Sequence, residues 1–131
     1  ASGTMTDTGV DRQTAIILDY ADGQQAVLHS ALDTPGPNRA AIIGTSGRIE
    51  LESVWFSPSA FTVFDSEGEP TEHYVSDVTG RGMQYQAWEL ERLVSEGESA
   101  TDVLPPEQSV AVMQTLDEVR RQIGLTFPGE S

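Results

Sequence analysis

Three tight-turn signals constrain this chain more than any other feature of it. Ala21-Asp22-Gly23, Thr45-Ser46-Gly47 and Ser66-Glu67-Gly68-Glu69 each separate two apolar-rich runs. Glycine accepts the positive φ that a tight hairpin turn demands, so each signal folds one run back on the next. The paired runs are QTAIILDY (13–20) with QQAVLHSAL (24–32), AAIIG (40–44) with RIELE (48–52), and FTVFD (61–65) with TEHYVS (71–76). In RIELE the apolar Ile49 and Leu51 alternate with Arg48, Glu50 and Glu52, the period of a strand with one covered face. Connections this short join antiparallel neighbours. The expectation is an open, mostly antiparallel sheet of about six strands.

After residue 76 the period changes. Met83, Ala87, Leu90 and Val94 form one stripe at helical spacing, and Gly97 stands where a left-handed cap is wanted. A second helix is expected to open at Pro105-Pro106, proline being at home in a first turn. Its stripe runs through Val112, Leu116, Val119 and Ile123, and Gly124 stops it. Arg120 and Arg121 fall in its last turn, where the helix dipole favours cations. The fold class is therefore α+β, with two C-terminal helices on one face of the sheet. The 131 residues suit a single domain.

In QTAIILDY, Thr14, Ile16, Leu18 and Tyr20 share one face while Ala15 and Ile17 share the other, so both faces want cover. Six strands span roughly 29 Å, and two helices about 10 Å apart cover roughly 20 Å of one side only. The opposite face is expected to meet a partner, most simply a second copy in a two-fold dimer.

Composition narrows the chemistry. Seven basic residues, all arginine, oppose 21 acidic ones for a net charge of −14. Such a surface repels phosphate backbones and anionic lipid, which argues against nucleic-acid and membrane partners. No apolar run approaches the roughly eighteen residues a membrane-spanning helix needs. With no cysteine there is no thiolate nucleophile, disulfide or Cys-based metal site, and a cytoplasmic setting is expected. His29 and His73 lie mid-strand without ligand partners at metal-binding spacing, so no metal is expected. Asp65-Ser66-Glu67-Gly68-Glu69 is too short for a calcium loop and reads as a solvated hairpin tip. No Gly-x-Ser-x-Gly elbow occurs, and catalytic residues are expected to be absent. Gly80-Arg81-Gly82 precedes a helix, as phosphate cradles do. It lacks the third glycine of a dinucleotide fingerprint and the Gly-Lys-Ser/Thr of a P-loop.

One resemblance organises these residues. GRGMQYQAWELERLVSEGESA (80–100), followed by LPPEQSVAVMQTLDEVRRQIGLTFP (104–128), resembles the C-terminal end of the Gfo/Idh/MocA oxidoreductases, in the branch of dihydrodiol and sugar dehydrogenases. The segment IIGTSGRIELESVWFSPSAFTV (42–63) is similar to that family's Gly-Thr-x-Gly-x-Ile strand pair and the aromatic and proline residues after it. The resemblance implies an NAD- or NADP-dependent parent acting on a sugar, polyol or diol, whose Rossmann domain and catalytic lysine lie outside this chain. The chain itself contains no lysine and holds no cofactor on this reading. It implies that the domain dimerises through its open sheet face and forms one wall of the substrate cleft. Carried over by position, Asp77, Val78, Arg81, Gln84 and Tyr85 would face that cleft. The family often carries an aromatic residue just before the Gly-x-Gly, where this chain has Ser76-Asp77-Val78, which makes a sugar or polyol the better-fitting substrate. The alternative is a stand-alone binding or assembly module with the same fold and no chemistry.

Overall fold

The computed structural model describes residues 1–130. The chain divides into two compact units, one formed by residues 1–35 with the segment from residue 100 onward, the other by residues 36–99.

The first unit is a three-stranded antiparallel sheet carrying a helix. Strands β1 (Ser2–Met5), β2 (Asp11–Asp19) and β3 (Gln25–Ala31) follow one another in space as in sequence. Gly23 closes the β2–β3 hairpin at φ +87°, with its N–H donating to the Tyr20 carbonyl oxygen. Register places Gly3 opposite Thr14 and Thr14 opposite Ser30, with Ile16 opposite Leu28 two positions on. These residues share the face that meets helix α2 (Pro106–Ile123). The approach is close: a Cβ on Gly3 would stand 3.2 Å from the Ile123 side chain and 3.1 Å from the Gln13 carbonyl oxygen. Thr14, only 4% exposed, keeps its hydroxyl satisfied by donating to the Asp11 carboxylate at 3.2 Å.

Helix α2 begins and ends where local chemistry places it. Pro106 is its first residue, and Gly124 caps it in the left-handed region at φ +74°. Leu125 N–H then donates to the Arg120 carbonyl oxygen at 3.0 Å, closing a Schellman motif, and the Leu125 side chain is buried. Arg121 pairs with Glu118 one turn back, and Gln122 also donates to that carboxylate. The Arg121 and Gln122 hydrogen bonds pull Glu118 down to about 2.

The second unit is a four-stranded antiparallel meander of β4 (Ala40–Gly44), β5 (Gly47–Leu51), β6 (Ala60–Asp65) and β7 (Pro70–Val75). Ala40, Leu51, Phe61 and Tyr74 lie in one cross-strand row, with Ile42, Ile49 and Val63 in the next row on the same face. The Phe61 and Tyr74 rings stack at 5.0 Å between centroids. The other face is mixed: Arg48 lies 4.0 Å over the Phe64 ring and pairs with Glu50, while Thr62 bonds the Nδ1 of His73. Gly47, at φ +152°, has no room for a side chain, since a Cβ would come 2.2 Å from the Phe64 carbonyl oxygen. Asp65 accepts the N–H groups of Glu67 and Glu69 at the β6–β7 turn, which makes this acidic stretch a hairpin tip. Helix α1 (Gln84–Glu96) comes next, capped by Gly97 at φ +70°.

Two features depart from the six-stranded sheet expected from sequence. Among the described residues there are seven strands, and they pair into a three-stranded and a four-stranded sheet rather than one of six. The extra strand, SGTM, is too short and too polar to show a period, and its pairing with β2 supplies what its own propensity does not. The division falls at Asp33–Asn38, where two prolines and a glycine interrupt the strand ladder. Helix α2 meets its sheet through Val119 and Ile123 and leaves Val112 and Leu116 of its stripe exposed, and α1 leaves Met83, Leu90 and Val94 of its stripe exposed.

Candidate functional site

The five residues expected at a substrate cleft all fall on the turn from β7 into α1. Ser76 N–H donates to the Ser59 carbonyl oxygen at 3.0 Å, fixing the start of this turn to the segment after β5. The Ser76 hydroxyl then accepts the Val78 N–H at 3.3 Å. Gly80 and Gly82 both stand at φ +78°, a conformation that glycine adopts freely and side chains resist. At Gly82 a second constraint acts, because a Cβ there would sit 3.2 Å from the Pro58 ring. The glycine pair thus reverses the chain and lets the turn press against Pro58.

Helix α1 opens directly from this turn. Gln84 donates from its amide to the Thr79 carbonyl oxygen at 3.3 Å, and Tyr85 N–H donates to the Gly82 carbonyl oxygen at 3.2 Å. The Tyr85 ring meets Trp88 edge-on, 5.4 Å between centroids at 86°. Val78 and Gln84 are half-buried, and Asp77, Arg81 and Tyr85 are exposed. Arg81 matters for its setting. Five of the seven arginines form ion pairs among the described residues, and Arg81, like Arg39, does not. In a chain of net charge −14, such a guanidinium offers its full fork of donors to a hydroxyl or anionic ligand.

Sequence reasoning did not single out the aromatic residues in the segment that supplies Pro58, nor Trp88 on α1. Trp55 and Phe56 pack edge-on at 5.7 Å, and both remain exposed in the segment that supplies Pro58. Trp88, a helix residue by its sequence pattern, is the neighbour that orients Tyr85. Their signal was present as the run Trp55-Phe56-Ser57-Pro58, too bulky and too interrupted by proline for a surface strand.

Asp77, Arg81 and Tyr85 present a carboxylate, a guanidinium and a phenol ring to solvent along this turn, groups of the kind that contact small polar ligands. The turn contains no nucleophile paired with a base. Both sheets are antiparallel throughout, so neither forms the parallel βαβ crevice of a dinucleotide-binding domain. No group of three or more His, Asp or Glu side chains is placed to hold a metal ion among the described residues.

Comparison with known proteins gives this geometry a context. No family model matches the chain. Over 132 residues it is 33% identical to the trans-1,2-dihydrobenzene-1,2-diol dehydrogenase of Xenopus tropicalis, a match covering 98% of this chain and 40% of that protein. The chain resembles part of a dihydrodiol dehydrogenase. The Danio rerio enzyme of the same name is 30% identical over 135 residues, covering all of this chain and again 40% of the relative. The human one is 28% identical over 133 residues. The chain therefore spans about two fifths of the length of the curated relatives it matches.

Proposed function

We propose that this chain is the C-terminal domain of an NAD(P)-dependent oxidoreductase of the Gfo/Idh/MocA type, acting on a sugar, polyol or diol. The observation that carries this reading is the match itself: nearly the whole chain aligns with 40% of each dehydrogenase. The cofactor and the catalytic groups belong to the remaining part of the parent. The relatives are named for a dihydrodiol, and a polyol is the better fit here because Asp77 and Val78 stand where an aromatic side chain would favour a planar substrate.

On this reading the β7–α1 turn forms one wall of the substrate cleft. Arg81 and Gln84 donate to substrate hydroxyl oxygens, Asp77 accepts from a hydroxyl, and the Tyr85 ring backs the carbon skeleton. Their work is binding and orientation, with no proton or hydride moved on these residues. The open sheet faces support a second role, dimerisation. Ile17 and Val27 lie on the β2–β3 face away from α2, 60% and 78% exposed. Each large apolar side chain left wet forgoes about 1.5–3 kcal/mol. A second copy supplies the missing cover, in a cytoplasmic dimer. No helix among the described residues is long and apolar enough to cross a membrane.

A turnover assay of the 131-residue chain with NAD or NADP and a panel of polyols, sugars and dihydrodiols tests the assignment. The expected rate is zero, and hydride transfer by this chain alone would overturn it. The reading frame preceding Ala1 separates this proposal from a stand-alone module. A glycine-rich βα turn and a Glu-Lys-Pro segment are expected there, and a complete gene starting near Met5 would favour the module.

A further inference from the structure

The six residues after Gly124 fold back on the end of α2 and are held there by charge. Arg120 is the centre of the clamp. Its guanidinium reaches both carboxylate oxygens of Glu130, at 3.0 and 3.1 Å, and Asp117 at 2.8 Å. It also lies 4.6 Å over the Phe127 ring. The Glu130 carboxylate closes the loop by accepting the Phe127 N–H at 3.0 Å, and Glu130 N–H donates to the Phe127 carbonyl oxygen at 3.1 Å. A groove of about 440 Å³ lies between α2 and the sheet, lined by Ile16, Leu116 and Ile123 and, from this segment, by Leu125, Phe127 and Glu130.

We propose that residues 125–130 form an acid-released strap, locked over the edge of this groove by the ion pair of Glu130 with Arg120. Among the described residues, the charged groups beside the lock are Asp117 and Arg120 from α2, and Asp11 from β2, which lines the same groove. Arginine stays charged at every relevant pH, so Glu130 is the group that switches. The Phe127 N–H and the Arg120 guanidinium hold its carboxyl below the ordinary range. With the folded-state value depressed, the hold is complete above the ordinary carboxylate range and is lost as pH falls through the lowered one. Protonation removes the ion pair and weakens the acceptor for the Phe127 N–H together, which frees the ring from its cation and opens the groove edge.

Hydrogen exchange on the 131-residue chain at pH 7 tests this, with the α2 amides as internal reference. Glu130→Gln mimics the protonated carboxyl, and Glu130→Ala removes the acceptor altogether. Both variants are expected to speed exchange at Phe127 about tenfold, an effect in the range of a lost charge-assisted hydrogen bond, while α2 keeps its protection. Three outcomes overturn the proposal. One is Phe127 exchanging in the unaltered chain as fast as an unstructured peptide. A second is acceleration with Glu130→Ala but not with Glu130→Gln, which makes the hold a neutral hydrogen bond. The third is acceleration spread equally along α2, which makes Glu130 a support of the helix and not a lock on the strap.

Discussion

Helices α1 and α2 share a local design and differ in the residue just past their caps. Both carry an apolar stripe at helical spacing, and both end in a left-handed glycine with a Schellman hydrogen bond. After Gly124 comes Leu125, which is buried; after Gly97 comes Glu98, which stays in solvent and pairs with Arg92. Arg92 gathers Glu89, Glu96 and Glu98 into one surface cluster, and its pKa is raised by them. The same local signals thus make a helix twice, but only one helix has an apolar residue past its cap to seat it. Helix formation is a local matter here, and α2 is seated by Val119 and Ile123 at the end of its stripe together with Leu125 just past it.

The sharpest way to break this comparison is at the residue past the cap. Leu125→Ala is expected to destabilise the unit containing α2 by about 2–3 kcal/mol, the range for a buried large-to-small change. Glu98→Ala, at a solvated position, should change urea unfolding by no more than about 0.5 kcal/mol. Equal effects would show that α1 and α2 are seated alike.

Gly3→Ala probes the same contact from the sheet side. The added methyl meets Ile123, Thr14 and the Gln13 carbonyl oxygen at 3.1–3.2 Å, so a loss of about 1–2 kcal/mol is expected by urea denaturation. Gly97→Ala and Gly124→Ala should each cost about 1 kcal/mol and should match, because neither added Cβ meets another atom and only the positive φ opposes it. A mismatch would mean that the caps are not equivalent.

The smallest effect is electrostatic. Glu118 sits near 2, well below the ordinary carboxylate value, so its contribution to α2 is present above about pH 4.5 and fades as pH falls toward 2. Circular dichroism of the chain between those values should show a shallow loss of helix signal that Glu118→Gln removes. A pH profile unchanged by that substitution would rule out the Arg121 pair as a support of α2.

Much of this arrangement is legible in the sequence. All three hairpin turns, both helix ends and the glycine caps follow from turn chemistry and periodicity, because those signals act within a few residues. Strand β1 is not legible, since SGTM has no alternation and gains its structure only from β2. The separation into two sheets is equally hidden, because pairing between sequential hairpins depends on contacts beyond any turn's reach. For the candidate site, a resemblance points to Asp77, Val78, Arg81, Gln84 and Tyr85. It does not assign Pro58 or Trp88 to the site; they come from a different loop and a later helical turn and meet Gly82 and Tyr85 only in three dimensions.

Self-association is where structure and proposed function meet, and sedimentation equilibrium measures it most directly. Val27 on the three-stranded sheet and Ile42 on the four-stranded sheet are large, apolar and exposed, and a second copy of the chain would cover them on the proposed reading. The expected result is a dimer that Val27→Asp or Ile42→Asp converts to monomer without loss of the circular dichroism signal. A soluble monomer of the unaltered chain at concentrations up to about 100 μM, far weaker than the micromolar range of ordinary specific interfaces, would contradict the account.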